Sequence, residues 1–370
     1  MRIRVAPAAI ALVVALMAPV SAGPADGFSS DNIEFVRQIP LERTAAAARV
    51  LGDRLYLTTY RSFTIYDISD PLDPVVLSTN NLSIQASNED VDTNGEIMLI
   101  SEEVPLGRLH VWDVEDATNP AEIAILDGAG DHTMTCVLDC SIGYGANGTV
   151  VDLSDPSSPE IMGNWLLGFP NMFANSVHDV TEVRPGIVLT SSDPMMLLDL
   201  REDPVHPRLL ANGWGGLPGI WHSNLWPRGG RDRFSMLSTE GGTMGGICDG
   251  SSGQFSVWDM RGHQKTHTFR LADSSPMENG THTDGRAAPG LGCSAHWFDV
   301  HPDFSNGGLV AMAGYAHGVR LLEVSRTGEI SEAGHFLGHT AETWATLWVG
   351  PDVIYSIDFK RGLDILRYTG

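Results

Sequence analysis

One short phrase recurs along the whole chain: an apolar or β-branched run that ends on an acidic residue. Its cleanest copy is Phe63-Thr64-Ile65-Tyr66-Asp67, followed by Ile68-Ser69-Asp70-Pro71. Further copies run from Leu109 to Asp113, Thr149 to Asp152, Met196 to Asp199, Phe255 to Asp259, Val319 to Glu323 and Leu363 to Arg367. The acidic anchors Asp67, Asp113, Asp152, Asp199, Asp259 and Glu323 are spaced by 46, 39, 47, 60 and 64 residues. Strand-like content repeating at roughly 40–50 residues predicts the blades of a propeller. Seven copies predict an all-β, seven-bladed β-propeller.

The details of the repeat agree with that fold. In the fourth copy, Val177 to Val183, Ile187 to Ser191, Met195 to Leu200 and Arg208 to Asn212 read as four successive strands, with Gly186 at a turn. The second and third are apolar on both faces, as strands sandwiched between neighbouring blades must be. In Asp-x-Ser-Asp-Pro, the Asp and Ser side chains can accept nearby backbone N–H groups while Pro ends the ladder. The seventh copy has no outer strand after it, whereas Ile33 to Ile39 is a spare strand before the first. Pairing Ile33–Ile39 with Leu363–Arg367 would close the ring and remove an exposed sheet edge. No second domain is seen, so residues 23–370 form a single propeller domain.

The chain opens with Arg2 and Arg4, an apolar stretch from Ala6 to Met17, and Pro19-Val20-Ser21-Ala22. That pattern is expected of a signal peptide covering residues 1–22. It implies export to a periplasm or the external medium. No apolar stretch is long enough for a membrane-spanning helix. Four cysteines in an exported chain favour two disulfides. Of the three possible pairings, Cys136–Cys140 with Cys248–Cys293 is the one expected. The formal net charge of −23 argues against nucleic acid as a partner, because phosphate binding depends on Lys and Arg. A monomer is expected.

The repeat resembles the LVIVD-repeat family, named for its Leu-Val-Ile-Val-Asp strand. Phe63-Thr64-Ile65-Tyr66-Asp67 and Met196-Leu197-Leu198-Asp199 carry the resemblance. So do Cys136-Val137-Leu138-Asp139-Cys140, the run from Ser294 to Pro302, and Ala316 to Arg320. The resemblance spans nearly the whole chain after residue 22. It implies a propeller and little about chemistry.

The chemistry is suggested by the inner strands. His132, His178, His222 and His296 start the inner strands of blades three to six, and Glu89 holds the same slot in blade two. Blade seven offers Thr343 there and blade one Ala46. Inner strands line the central channel, so four imidazoles and a carboxylate are expected to converge at its mouth. Imidazole is a common ligand for iron, copper and zinc, and a carboxylate can complete or orient the set. The ends of the second strands open on the same face and bring Glu102, Glu103, Asp193, Glu240 and His317. The expected site is therefore a divalent transition metal held by His132, His178, His222 and His296. Glu89, Glu240 and His317 would act as acid, base or outer ligands toward a small-molecule substrate. At the level of architecture alone, this resembles the four-histidine iron site of carotenoid-cleaving oxygenases, none of whose motifs is present. A metal-dependent oxidoreductase fits iron or copper, and a hydrolase fits zinc. The rival expectation is a non-catalytic propeller of the cell envelope that binds a ligand or protein with its acidic face. The motifs G-x-S-x-G, P-loop and H-E-x-x-H are absent.

Overall fold

The computed structural model describes residues 27–82, 89, 91–103, 107–170, 177–241, 249–278, 292 and 294–370. They form seven antiparallel sheets, arranged as the blades of one propeller. Blade one runs Ala45–Leu51, Arg54–Thr59, Ser62–Asp67 and Val75–Asn81 from the axis outward. Blade four runs Asp179–Arg184, Ile187–Ser191, Met195–Asp199 and Arg208–Gly213, within two residues of the strands expected from the sequence.

The recurring phrase does local work in each blade. Its apolar run is the third strand, which is buried in every copy because it packs between two neighbours. In blades one to five its acidic anchor turns the chain, each carboxylate accepting the backbone N–H two residues on. The Asp67 carboxylate accepts the backbone N–H of Ser69 at 2.9 Å, and Asp152 accepts that of Ser154 at 2.8 Å. Asp199 and Asp259 are bracketed by arginines as well, Arg201 with Arg208 and Arg233 with Arg261.

The hydrophobic core is divided among the interfaces between blades. Phe63, Ile65, Met98 and Ile100 fill the space between blades one and two. Phe234, Phe255, Val310 and Leu322 fill that between five and six. The last interface, between blades seven and one, is as apolar as the rest, with Leu55, Leu57, Tyr355, Leu363 and Ile365 buried there. The ring closes as the sequence predicts: Ile33–Ile39 pairs antiparallel with Gly362–Tyr368, Ile33 opposite Tyr368 and Ile39 opposite Leu363.

One feature was not expected. Gly27–Ser29 adds a fifth strand to the outer edge of blade six, with Gly27 opposite Gly338. Three residues carry no readable periodicity, and Gly27 is suited to the place. A Cβ there would lie 2.4 Å from the Leu337 carbonyl oxygen.

Cys136 and Cys140 are joined by a disulfide. It closes the turn between the first two strands of blade three, where Leu138, Asp139 and Cys140 all have positive φ, 53°, 60° and 55°. Non-glycine residues avoid that region, and here three in succession adopt it beneath a covalent clamp. The expected Cys248–Cys293 pair lies outside the described residues. No helix among the described residues is long and apolar enough to cross a membrane.

Candidate metal centre

The slots counted off in the sequence come together in space. His132, His178 and His296 lie just before the inner strands Met134–Val137, Asp179–Arg184 and Phe298–Val300. Backbone bonds from His178 N to Ser191 O and from His296 N to Ala313 O, both 3.0 Å, hold two of them at the channel mouth. His222 lies inside its strand, Ile220–Leu225, and the pairing register shifts between Trp221 and Ser223. A bulge redirects a side chain, and here the residue it redirects is the histidine. Glu89 stands two residues before the inner strand of blade two, Val91–Thr93.

One oxygen marks the centre. Glu89 Oε2 lies 3.1 Å from His222 Nε2, 3.5 Å from His132 Nε2, 3.6 Å from His178 Nε2 and 3.8 Å from His296 Nε2. The rings pack tilted or edge to face, with centroids 3.9 Å apart in the tilted pairs His178–His222 and His222–His296, and 4.5 Å in the edge-on pair His132–His178. The Nε2 atoms of His132 and His178 approach to 3.0 Å.

Nδ1 of His132 and of His296 has a polar partner, whereas Nδ1 of His178 and of His222 has none among the described residues. His296 Nδ1 is 2.6 Å from the Trp344 carbonyl oxygen, which can only accept, so Nδ1 carries the proton. Burial holds His296 neutral, well below its ordinary value. Its Nε2 is therefore a bare lone pair, fully buried and without a hydrogen-bond partner among the described residues. That lone pair faces a carboxylate oxygen, which also only accepts. His132 Nδ1 lies 2.9 Å from Glu103 Oε2. Burial opposes the charge on His132, but bonds and attraction to Glu89 and then Glu103 carry its pKa up to about 9. Glu89 is pushed up by burial but held at about 2 by its bond to His132 and by the neighbouring imidazoles. His178 and His222 are driven well below the ordinary value, chiefly by burial.

The second tier divides. Glu103 reaches His132, and Glu240 Oε2 comes within 3.9 Å of His222 Nε2. Glu102 is drawn back into blade two by Arg108 at 2.7 Å and His110 at 3.6 Å. Asp193 is buried and accepts the backbone N–H groups of Gly215 and Gly216. His317 is buried in a turn of blade six, where its backbone N–H bonds Gly314 O. It stands outside the groups of ligand atoms that gather among the described residues, which are Glu89 with His132 and His178, Glu89 with His222 and His296, and His178 with His222 and Glu240. Tyr315 was not anticipated. Its hydroxyl donates to Glu240 Oε1 at 2.5 Å, and its ring centroid is 4.7 Å from that of His296. Nothing in its local sequence distinguishes it.

Behind Glu89 a cavity of about 390 Å³ follows the axis, walled by inner-strand residues that include Arg49, Ser223, Asn224, Trp297 and Thr346. The arrangement is a polar, nitrogen-rich pocket at one mouth of a closed ring, with a cavity leading away from it.

Fold and site together define a class, a seven-bladed β-propeller with an axial histidine–carboxylate cluster. Within that class, the chain carries the LVIVD repeat, whose family model matches residues 142–166 in blade three. No curated protein matches the chain. Among solved structures, it is similar to the WD40 repeats of RRP9, with a TM-score of 0.60 and 9% identity over 92% of this chain and 98% of that one. The structure of U3-55K is equally similar, with a TM-score of 0.60 and 9% identity over 93% and 100%. At that identity the likeness is one of fold.

Proposed function

We propose that this propeller binds a divalent transition metal on its axis through Nε2 of His132, His178, His222 and His296, with Glu89 as a carboxylate ligand. The observation that carries the reading is the placement of four ring nitrogens around one carboxylate oxygen. Bare nitrogen lone pairs and an anionic oxygen repel one another unless a proton or a cation lies between them. Ring protons on His132, His178 or His222 can face Glu89, but His296 Nε2, whose ring proton is on Nδ1, gains nothing from them. A cation would serve every member. The 3.0 Å between His132 Nε2 and His178 Nε2 is also the spacing of two nitrogens at right angles on one ion with bonds of about 2.1 Å. Glu103 and the Trp344 carbonyl occupy the outer positions that orient metal-bound imidazoles.

A set rich in imidazole suits iron, copper or zinc. A redox-active ion there would make the protein a metal-dependent oxidoreductase acting on a small molecule. The ion supplies Lewis acidity or electron transfer. The chain holds Glu240 beside the cluster as a group for proton exchange. Export accords with this reading, since the disulfide of blade three belongs to an oxidising compartment.

The test is elemental analysis of protein purified without a metal-affinity tag. Stoichiometric metal is expected, and His178→Ala and His222→Ala should each lose it while keeping the far-ultraviolet spectrum of a β protein. Wild-type protein that stays metal-free after incubation with iron, copper and zinc salts and dialysis would overturn the reading.

A further inference from the structure

Tyr315 combines three features that packing alone does not require. Its backbone has φ of 48°, a conformation bulky residues avoid. Strain of this kind persists where the surroundings impose it. Here they do so through two backbone bonds to the next blade, Tyr315 N to Thr343 O at 3.0 Å and Thr343 N to Tyr315 O at 2.9 Å. Its ring lies against His296, and its hydroxyl reaches out of blade six to Glu240 Oε1 in blade five. Glu240 ends the second strand of blade five, and its other oxygen is 3.9 Å from His222 Nε2. A carboxylate that close to a ring nitrogen needs only a small movement to join the same ion. The tyrosine bond opposes that movement.

We propose that Tyr315 is a positioning residue that holds Glu240 off the metal, keeping a coordination position open beside His222 for a small oxygen- or nitrogen-donor ligand. This rests on the axial metal reading and adds to it where the exogenous ligand binds. Glu240 then faces that ligand as a hydrogen-bond partner instead of occupying its place. Thr343, in the axial slot of blade seven, serves the same end by fixing the tyrosine backbone.

The probes are Co²⁺ as the metal and azide as the ligand, followed by visible absorption. Wild-type Co²⁺ protein should bind azide saturably with a change in its ligand-field bands. Tyr315→Phe keeps the ring on His296 and frees Glu240. Azide affinity should fall by about tenfold or more, and Co²⁺ should be released to a chelator more slowly. Adding Glu240→Gln to Tyr315→Phe should restore azide affinity toward the wild-type value. Equal azide affinity in wild type and Tyr315→Phe, or no recovery in the double variant, would overturn the proposal and leave the metal centre standing. Wild-type protein that takes up no Co²⁺ would instead remove the metal centre, and this proposal with it.

Discussion

At the scale of single residues, the molecule tolerates charges and lone pairs in places where burial makes them costly. Asp299 shows how this couples to pH. It lies on the inner strand of blade six and accepts the backbone N–H groups of Val300 at 2.8 Å and Trp348 at 2.9 Å. Burial outweighs those bonds and pushes its pKa up to about 6. An aspartate in the unfolded chain titrates near 3.9. Between these values the folded protein holds more protons than the unfolded chain, so stability contributed by this residue falls as pH rises and then levels off above about pH 6. Each tenfold difference in proton affinity is worth about 1.4 kcal/mol. Asp299→Asn is expected to flatten the fall between about pH 4 and 6, measured as urea midpoints at fixed ionic strength. Asp259, held down at about 2 by Arg261 and Arg233 against burial, acts in the opposite sense. Its contribution is present above the usual carboxylate range and fades as pH drops toward 2. At the cluster, Glu103→Ala removes the partner of His132 Nδ1 and should weaken metal binding by about 10–100-fold, read by competition with a chelator. The four histidines and Glu89 were legible because equivalent slots in a ring must converge. Glu102 was misleading for a local reason: Arg108, opposite it in the next strand, offers a nearer partner than the axis does. Tyr315 was invisible because its position depends on a left-handed backbone that its residue type does not announce.

At the scale of elements, the repeat is a device for making blades that cannot stand alone. Each third strand is apolar on both faces and finds its partners only in neighbouring blades. The closing strand Ile33–Ile39 therefore completes a sheet and also covers a hydrophobic edge; Phe35 stacks on Phe336 of blade six with centroids 5.4 Å apart. Deleting residues 31–41 is expected to lower the thermal midpoint sharply and to promote aggregation, seen by calorimetry and light scattering. An unchanged melt would deny the closure any energetic role. The disulfide turn of blade three is a second test. A five-residue loop closed by a disulfide gains roughly 2 kcal/mol from loop entropy alone, and here it also restrains three left-handed residues. Cys136→Ser with Cys140→Ser should cost at least that much in denaturant unfolding. Strand positions were readable from hydrophobic alternation and turn residues. The edge strand Gly27–Ser29 was not, because three residues are recruited by the geometry of blade six and carry no pattern of their own.

At the scale of the whole molecule, seven similar interfaces share one core, and the ring has no weak seam among those described. Cooperative loss of all blades in one transition is the expected behaviour, with near- and far-ultraviolet circular dichroism melting together. The formal net charge of −23 makes like molecules repel one another, and the cluster of imidazoles lies at the axis. Circular symmetry explains why residues 207 positions apart, Glu89 and His296, share one oxygen-to-nitrogen contact, and why the architecture could be read before any of that chemistry. The ion that such a cluster would favour was not legible, since residue type is written in the sequence but the distances that select an ion are set by all blades at once.

The short strand at Gly27–Ser29 has one last consequence. It ties the chain to the outer edge of blade six before Ile33–Ile39 crosses to blade seven. Gly27 therefore lies on the circumference of the disk, away from the axial histidines. A fusion partner joined directly to Gly27 would hang from the side, and solutes could still diffuse straight to the hub.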